Sequence, residues 1–127
     1  MAKVSKTFGY VVKEAETLAR EHPEFWEKLD DLYHELLSKP SALDKKTKEL
    51  IAIPLLIINQ YRPGLEVHID EALKAGVTPE EITEAVLLTM PWMGSPTFLR
   101  GYGWVHEALK RRRAPKRKAR ARARKKP

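Results

Sequence analysis

Apolar positions recur three or four residues apart through most of the chain, as they do on one face of an α-helix. The pattern runs from Thr7 to about Arg20 and is interrupted by His22-Pro23, where proline favours the first turn of a new helix. The second stripe is the clearest and consists of Phe25, Trp26, Leu29, Leu32, Tyr33, Leu36 and Leu37. This spacing predicts two helices before the break at Ser38-Lys39-Pro40-Ser41.

Residues 50–58, Leu-Ile-Ala-Ile-Pro-Leu-Leu-Ile-Ile, are apolar on every side and must be buried by neighbouring elements. Periodicity alone leaves a buried strand open, because the run is β-branched and an interior proline costs a helix about 3 kcal/mol. A lone strand among helices would have no partner, however, and Asp44 suits the N-cap position. We therefore predict a third helix that tolerates Pro54 by kinking.

The later boundaries carry stronger signals. A turn at residues 59–64 precedes an amphipathic stretch that ends at Gly76, a typical helix stop. Thr78-Pro79-Glu80-Glu81 is a capping box with proline at the first helical position, and Pro91 and Gly94 end the helix that follows. The last helix begins at Ser95-Pro96 and is predicted to bury Phe98, Leu99, Tyr102, Val105 and Leu109. The pattern predicts an all-α bundle of about six helices.

Length and composition limit the possible classes. The 127 residues suit one domain, in which oligomerisation would help to bury apolar faces. With no cysteine, the chain cannot form disulfides, cysteine-ligated metal sites or a catalytic thiol. No run approaches the roughly 20 apolar residues of a membrane span, and the N-terminus lacks the apolar block of a signal peptide. We expect a cytoplasmic protein without membrane insertion.

The net charge of +7 is divided unevenly along the chain. Residues 110–127 hold twelve Lys or Arg and no acid, which leaves 12 bases against 17 acids in residues 1–109. A mildly acidic helical domain, residues 1–109, thus carries a basic tail, residues 110–127. Few side chains of the tail could enter a core. Mutual repulsion among its positive charges predicts disorder beyond Pro115.

Glu49 and His68 are the most suggestive ionisable residues. Glu49 stands at the entrance of the apolar run, and His68 lies in the amphipathic stretch after the turn. If the turn folds the second segment onto the first, the two side chains face one another across an apolar seam. A histidine beside a carboxylate is suited to proton transfer at neutral pH.

These residues belong to a longer pattern. Leu43-Asp-Lys-Lys-Thr-Lys-Glu49-Leu-Ile-Ala, then Glu66-Val-His68-Ile-Asp-Glu-Ala-Leu-Lys-Ala-Gly76-Val-Thr-Pro-Glu-Glu-Ile82, resembles the carboxymuconolactone decarboxylase family, which is related to the AhpD alkylhydroperoxidases. Pro91-Trp-Met-Gly94-Ser-Pro and the closing helix continue the resemblance, which covers roughly residues 43–109.

The resemblance implies an all-helical AhpD-like fold that assembles into trimers or hexamers, with a pocket near the subunit contacts. Glu49 and His68 match the family's glutamate and histidine, whereas Tyr61 and Gly64 occupy the positions of the two cysteines of the peroxidase branch. Without thiols the chain cannot run a disulfide-cycling peroxidase reaction. What remains resembles the decarboxylase branch, which works without cysteines on a small carboxylated lactone, and we expect a site without a cofactor.

Loss of carbon dioxide leaves a carbanion or enolate that must be protonated. We interpret His68 as the proton donor, Glu49 as its orienting partner, and Arg62 or Arg100 as a clamp for the substrate carboxylate. Glu66 and Tyr61 are further candidates for proton handling or polar lining. The predicted apolar wall consists of Ile53, Leu56, Trp92 and Phe98. No two of the four histidines have a close ligand spacing, so no metal is expected.

Two other functions compete with an enzyme. The first is a non-catalytic helical homo-oligomer whose tails bind nucleic acid or another polyanion without sequence specificity, because many cations and no aromatic residues lie in the tail. The basic residues proposed for this role are Arg111, Arg112, Arg113, Lys116, Arg117 and Lys118. The second is a stress- or redox-associated protein that kept the fold after losing its thiols.

Overall fold

A computed structural model describes residues 12–125 of the chain, without the side chains of residues 114–122 and 125. All regular secondary structure in this described part is helical, as predicted. The helices in chain order are α1 (Lys13–Glu21), α2 (Pro23–Leu37), α3 (Lys45–Ile58), α4 (Arg62–Lys74), α5 (Pro79–Leu87), α6 (Met90–Met93) and α7 (Ser95–Lys125). Since α6 is a single turn, six longer helices correspond to the predicted six. The predicted start of the first helix, at Thr7, lies outside the described residues.

The apolar run forms a helix, which excludes the strand alternative. Asp44 is the N-cap of α3, and its Oδ1 accepts a hydrogen bond of 2.8 Å from the backbone N–H of Thr47. Pro54 lies inside the helix, between the fully buried Ile53 and Ile57. Burial of these neighbours offsets the cost of an interior proline, so tertiary packing prevails over local propensity.

The two predicted helix boundaries after α3 are confirmed. Gly76 has φ +93°, and the backbone N–H of Val77 reaches back to the carbonyl of Ala72, which ends α4. At the start of α5, the N–H of Glu81 donates to Thr78 Oγ1 at 3.1 Å, while the N–H of Thr78 donates to Glu81 Oε1 at 2.9 Å. These caps fix the turn that brings α5 back against α3.

The core lies among α3, α4, α5 and α7. Its buried members are Ile53, Ile57, Leu65, Ile69, Ala72, Val77, Ile82, Val86, Val105, Ala108 and Leu109. Helix α7 contributes the line through Gly101, Val105 and Ala108, so the predicted burial of Leu99 and Tyr102 is wrong. Gly101 lies against Ile57, and this close approach turns Leu99 and Tyr102 toward solvent.

Helices α1 and α2 form a hairpin beside this core. They pack mainly on each other, and Trp26 and Asp30 are the buried residues of α2. The rest of the predicted stripe is only partly covered, because Phe25, Leu32 and Leu36 are exposed. The hairpin therefore presents an apolar face to solvent and leaves a cavity between its inner face and α3–α4.

Helix α7 carries the backbone beyond the predicted domain boundary and through Pro115 to Lys125. The side chains of Ala123 and Arg124 are exposed, and those of residues 114–122 are outside the described set. The disorder predicted beyond Pro115 stays a prediction about solution. Within residues 12–125, no helix combines the length and apolar character that a membrane crossing requires.

Candidate functional site

Glu49 and His68 meet across the α3–α4 hairpin, as predicted. His68 Nδ1 lies 2.7 Å from Glu49 Oε2. Glu49 is fully buried, and 14% of the His68 side chain is exposed. The short turn after α3 returns α4 along it, which places a carboxylate from the first turns of α3 opposite a residue in the middle of α4.

Lys45 adds a charged side chain to the contact between Glu49 and His68. Lys45 lies one turn before Glu49 on α3, and its Nζ is 2.9 Å from Glu49 Oε1. Burial by itself would raise the pKa of Glu49, but the hydrogen bond and charge of His68, together with those of Lys45, outweigh burial and lower it. Glu49 is therefore a carboxylate at neutral pH. Since a carboxylate can only accept, Nδ1 of His68 must be the donor.

His68 lines a cavity of about 410 Å³ between the α1–α2 hairpin and the α3–α4 pair. A volume of this size suits a small organic molecule. Its described lining is Val12, Glu14, Ala15, Leu18, Trp26, Leu29, Tyr33, Leu56, Tyr61, Gly64, Val67 and His68. The wall is largely apolar, and His68 is the residue in it that can exchange a proton near neutral pH.

Gly64 shapes the cavity wall at one of the two positions where the peroxidase branch has cysteine. A Cβ at Gly64 would lie 2.7 Å from the Tyr61 ring and 2.9 Å from Leu56 Cδ2, so a larger residue would displace both side chains. Tyr61, at the other cysteine position, lines the cavity. Burial, reinforced by Glu14 and Tyr33, raises the pKa of Tyr61, which keeps the phenol neutral.

Three other predicted substrate contacts lie elsewhere. Arg62 pairs with Glu107 at 2.8 Å and lies over the ring of Trp104, while Arg100 donates to Gln60. Trp92 is 78% exposed beside a separate apolar groove between α3 and α5. None of the three is among the described residues of the His68 cavity. Of the predicted apolar wall only Leu56 lines it, because Ile53 is in the core, Phe98 packs against the core and Trp92 lies at the groove.

Glu66 also lies apart from the His68 cavity. Its carboxylate forms ion pairs with Arg111 and Arg112, and Arg112 Nε is 2.6 Å from Asp70 Oδ1. Burial would lower the pKa of Arg112, but Asp70 and Glu66 raise it. Glu66 thus anchors α7 to α4, and no contact with the cavity supports its predicted role in proton handling.

The residues proposed for polyanion binding fall into two groups. Arg111 and Arg112 pair with acids of α4, and Arg113 lies 3.9 Å from Glu80 of α5. These three arginines are therefore at least partly neutralised within the domain. The side chains of Lys116, Arg117 and Lys118 are outside the described set.

A larger cleft of about 800 Å³ runs between α5 and α7. Helix α5 contributes the acids Glu80 and Glu84 to it and helix α7 the bases Lys110 and Arg113, and His106 of the lining stacks on Tyr102. None of these groups is a buried carboxylate hydrogen-bonded to histidine, so the smaller cavity at His68 is the better candidate for chemistry.

The structure adds residues to the site that the pattern did not single out. Lys45 has a sequence signal, because a base four residues before an acid on a helix places the two charges together. Trp26, Leu29 and Tyr33 belong to the predicted apolar stripe of the second helix, and their helical spacing puts them on the face of α2 that lines the cavity. That this face meets a cavity depends on where the hairpin docks, which periodicity does not reveal.

The described residues contain no group of three or more histidine or carboxylate side chains that could hold a metal ion. The expectation of a cofactor-free site stays a prediction.

Comparison with known proteins places the chain in a family. No curated protein matches it. Among solved structures, a carboxymuconolactone decarboxylase family protein from Legionella pneumophila has 30% identity and a TM-score of 0.68, with 77% of this chain and 86% of that one covered. A Burkholderia xenovorans LB400 protein assigned as a carboxymuconolactone decarboxylase has 23% identity, a TM-score of 0.72 and 87% coverage of both chains, which shows a common fold. The model of the carboxymuconolactone decarboxylase family matches residues 23–107, and the chain belongs to that family.

Proposed function

We propose that this protein catalyses acid–base chemistry of the decarboxylation type on a small carboxylated lactone or a related compound. The observation that carries the proposal is the 2.7 Å contact between the buried Glu49 carboxylate and His68 at the wall of a 410 Å³ cavity. In this arrangement Nδ1 of His68 is held by Glu49, so Nε2 is the nitrogen that exchanges a proton with a bound molecule.

The proposed reaction needs one proton transfer. The bond between the carboxyl carbon and the ring carbon of the substrate breaks, carbon dioxide leaves, and the electron pair stays on the ring as a carbanion or enolate. The imidazolium of His68 gives its Nε2 proton to that carbon, and water later restores the proton. A positioned general acid of this kind typically contributes 10²- to 10⁴-fold to the rate.

The cavity wall supports the loss of carbon dioxide. Trp26, Leu29 and Leu56 line it, and its described lining contains no lysine or arginine. A substrate carboxylate loses solvation there, while the charge of the product enolate is spread over several atoms. Within this lining the positive charge available to a carboxylate is His68 itself, which replaces the clamp predicted from Arg62 and Arg100.

A panel of carboxylated five-membered lactones, assayed for carbon dioxide release, tests the proposal. We expect wild type to decarboxylate at least one lactone, His68→Asn to lose at least about 10²-fold in kcat, and Glu49→Gln to lose less. His106→Asn is the matched control, because His106 lies at the other cleft. Wild-type rates in His68→Asn, or no release from any lactone, would overturn the proposal.

We also propose a second function, polyanion binding by the basic tail. Arg111, Arg112 and Arg113 pair with acids of the domain, whereas the side chain of Arg124 near the end of the tail is exposed. Attraction to phosphates of this kind needs no base recognition and weakens steeply with salt.

Deletion of residues 116–127 separates this function from the fold, because it leaves the ion pairs of Arg111, Arg112 and Arg113 in place. We expect the full chain to bind mixed-sequence RNA in a filter assay, with affinity falling as salt rises, and the shortened chain to lose that binding. Equal binding by both chains would contradict a role for the tail.

A further inference from the structure

We propose that Lys45 is a positioning residue for the acid–base site, which acts on His68 through the shared carboxylate of Glu49. The inference rests on the proposed function, and it concerns a residue that is not among the described lining residues of the cavity. The three side chains lie in a row. Lys45, which is partly exposed, contacts the buried Glu49, and Glu49 contacts His68 at the cavity.

Glu49 bridges its two neighbours with separate oxygens. Oε1 lies 2.9 Å from Lys45 Nζ, and Oε2 lies 2.7 Å from His68 Nδ1. The ammonium of Lys45 therefore lies beside one oxygen of the carboxylate as an ion pair, while the other oxygen faces the imidazole. Because Lys45 and Glu49 are one turn apart on α3, the helix itself holds this alignment.

Lys45 acts on His68 by compensating part of the negative charge of Glu49. Glu49 is fully buried, so water cannot compensate its negative charge. With Lys45 in place, that charge already has a cationic partner. Without Lys45, the carboxylate would have only the imidazole to compensate it and would favour the imidazolium.

This balance sets how readily His68 releases a proton. An imidazolium held beside an uncompensated carboxylate is a weaker acid, so it would give its proton to a carbanion more slowly. Lys45 shares the negative charge of Glu49 and so favours release of the proton from the imidazolium. A direct repulsion between the two cations acts in the same direction.

Other titratable groups around His68 do not replace Lys45. Glu14 of α1, Tyr33 of α2 and Tyr61 line the same cavity. Tyr61 has a raised pKa and stays neutral, while Glu14 is exposed and carries the sign opposite to that of lysine. Among the described cavity residues and the bridge, Lys45 is the lysine or arginine in contact with the pair.

Titration of His68 by ¹⁵N NMR in the full chain tests the proposal without any substrate. We expect Lys45→Met and Lys45→Gln to raise the His68 midpoint by about one pH unit, and Lys45→Arg to restore it. Lys48→Met is the control, because Lys48 lies on the same helix and donates to the backbone of Lys39 instead. Two neutral variants at a half-exposed position guard against a failure of one to fold.

An unchanged midpoint in both neutral variants would overturn the role of Lys45, as would an equal shift in Lys48→Met. Where a lactone is turned over, the rate should fall as His68 loses its proton. In the neutral variants this fall should occur at a higher pH, in step with the NMR midpoint. If no lactone reacts, the proposed decarboxylation fails while the titration still decides the role of Lys45.

Discussion

Glu49 contributes to stability only while it is ionised. Its pKa is lowered because the partners His68 and Lys45 outweigh burial, so folding favours the carboxylate over the acid. For a group with a depressed folded pKa, this contribution is complete above the unfolded value, about 4.5 here, and is lost as pH falls through the folded pKa. The ionisation of Glu49 therefore makes the stability of the fold depend on pH in the acid range.

Glu49→Gln should measure this contribution. At pH 7 we expect the variant to lose about 1 to 3 kcal/mol of unfolding free energy, because the amide replaces charged contacts in a buried position. The gap between wild type and variant should narrow as pH falls below 4.5. Urea unfolding from pH 7 to pH 3 measures both curves, and a gap that stays constant into acid would show that Glu49 is not ionised in the fold.

The sequence was sufficient to place Glu49 opposite His68, because a short turn between two helices leaves one simple way to pair them. It was not sufficient to place Arg62, Trp92 and Arg100. The direction of a side chain depends on contacts with other parts of the fold, such as Glu107 of α7 for Arg62 and Gln60 of the α3–α4 turn for Arg100. Residues with suitable chemistry thus lie outside the cavity, even where one of them, Arg62, is close to His68 in sequence.

Helix α7 offers a matched pair of glycines with opposite expected effects. A Cβ at Gly101 would collide with Ile57, meeting its Cγ1 at 3.0 Å, whereas one at Gly103 would meet nothing within 4 Å. We expect Gly101→Ala to destabilise the fold by about 1 to 3 kcal/mol through overpacking, less the gain in helix propensity. Gly103→Ala should stabilise it by about 0.5 to 1 kcal/mol.

Thermal unfolding of the two alanine variants provides the test. Equal effects of the same sign would mean that α7 does not approach α3 at Gly101. Gly101 also shows why periodicity fails for this helix. A pattern of apolar side chains does not predict that α7 makes its close contact with α3 at a residue without a side chain. The capped boundaries of α3, α4 and α5 were predictable because their signals are local.

At the scale of the whole molecule, apolar surface remains uncovered. Ile51, Leu88 and Trp92 are each about half exposed or more and border a groove of about 500 Å³ between α3 and α5. Phe25 and Leu36 are similarly exposed on α2. Exposed apolar surface of this kind favours association. The homo-oligomer, a trimer or hexamer, stays a prediction.

Trp92→Glu should weaken that association. The side chain is 78% exposed in the isolated chain, so the substitution should leave the fold intact while placing a charge at the contact. We expect light scattering to give a multiple of the 14.6 kDa chain mass for wild type and a smaller mass for the variant. Ala42→Glu, in the exposed loop before α3, is the control. A monomeric wild type would contradict the predicted assembly.

The tautomer of His68 tests the central claim most directly, namely that Glu49 holds Nδ1 and leaves Nε2 to exchange protons. Long-range ¹H–¹⁵N spectra of the neutral ring distinguish the two nitrogens without any substrate. We expect the proton on Nδ1 in wild type and a loss of that preference in Glu49→Gln. A neutral ring protonated on Nε2 in wild type would contradict the proposed site.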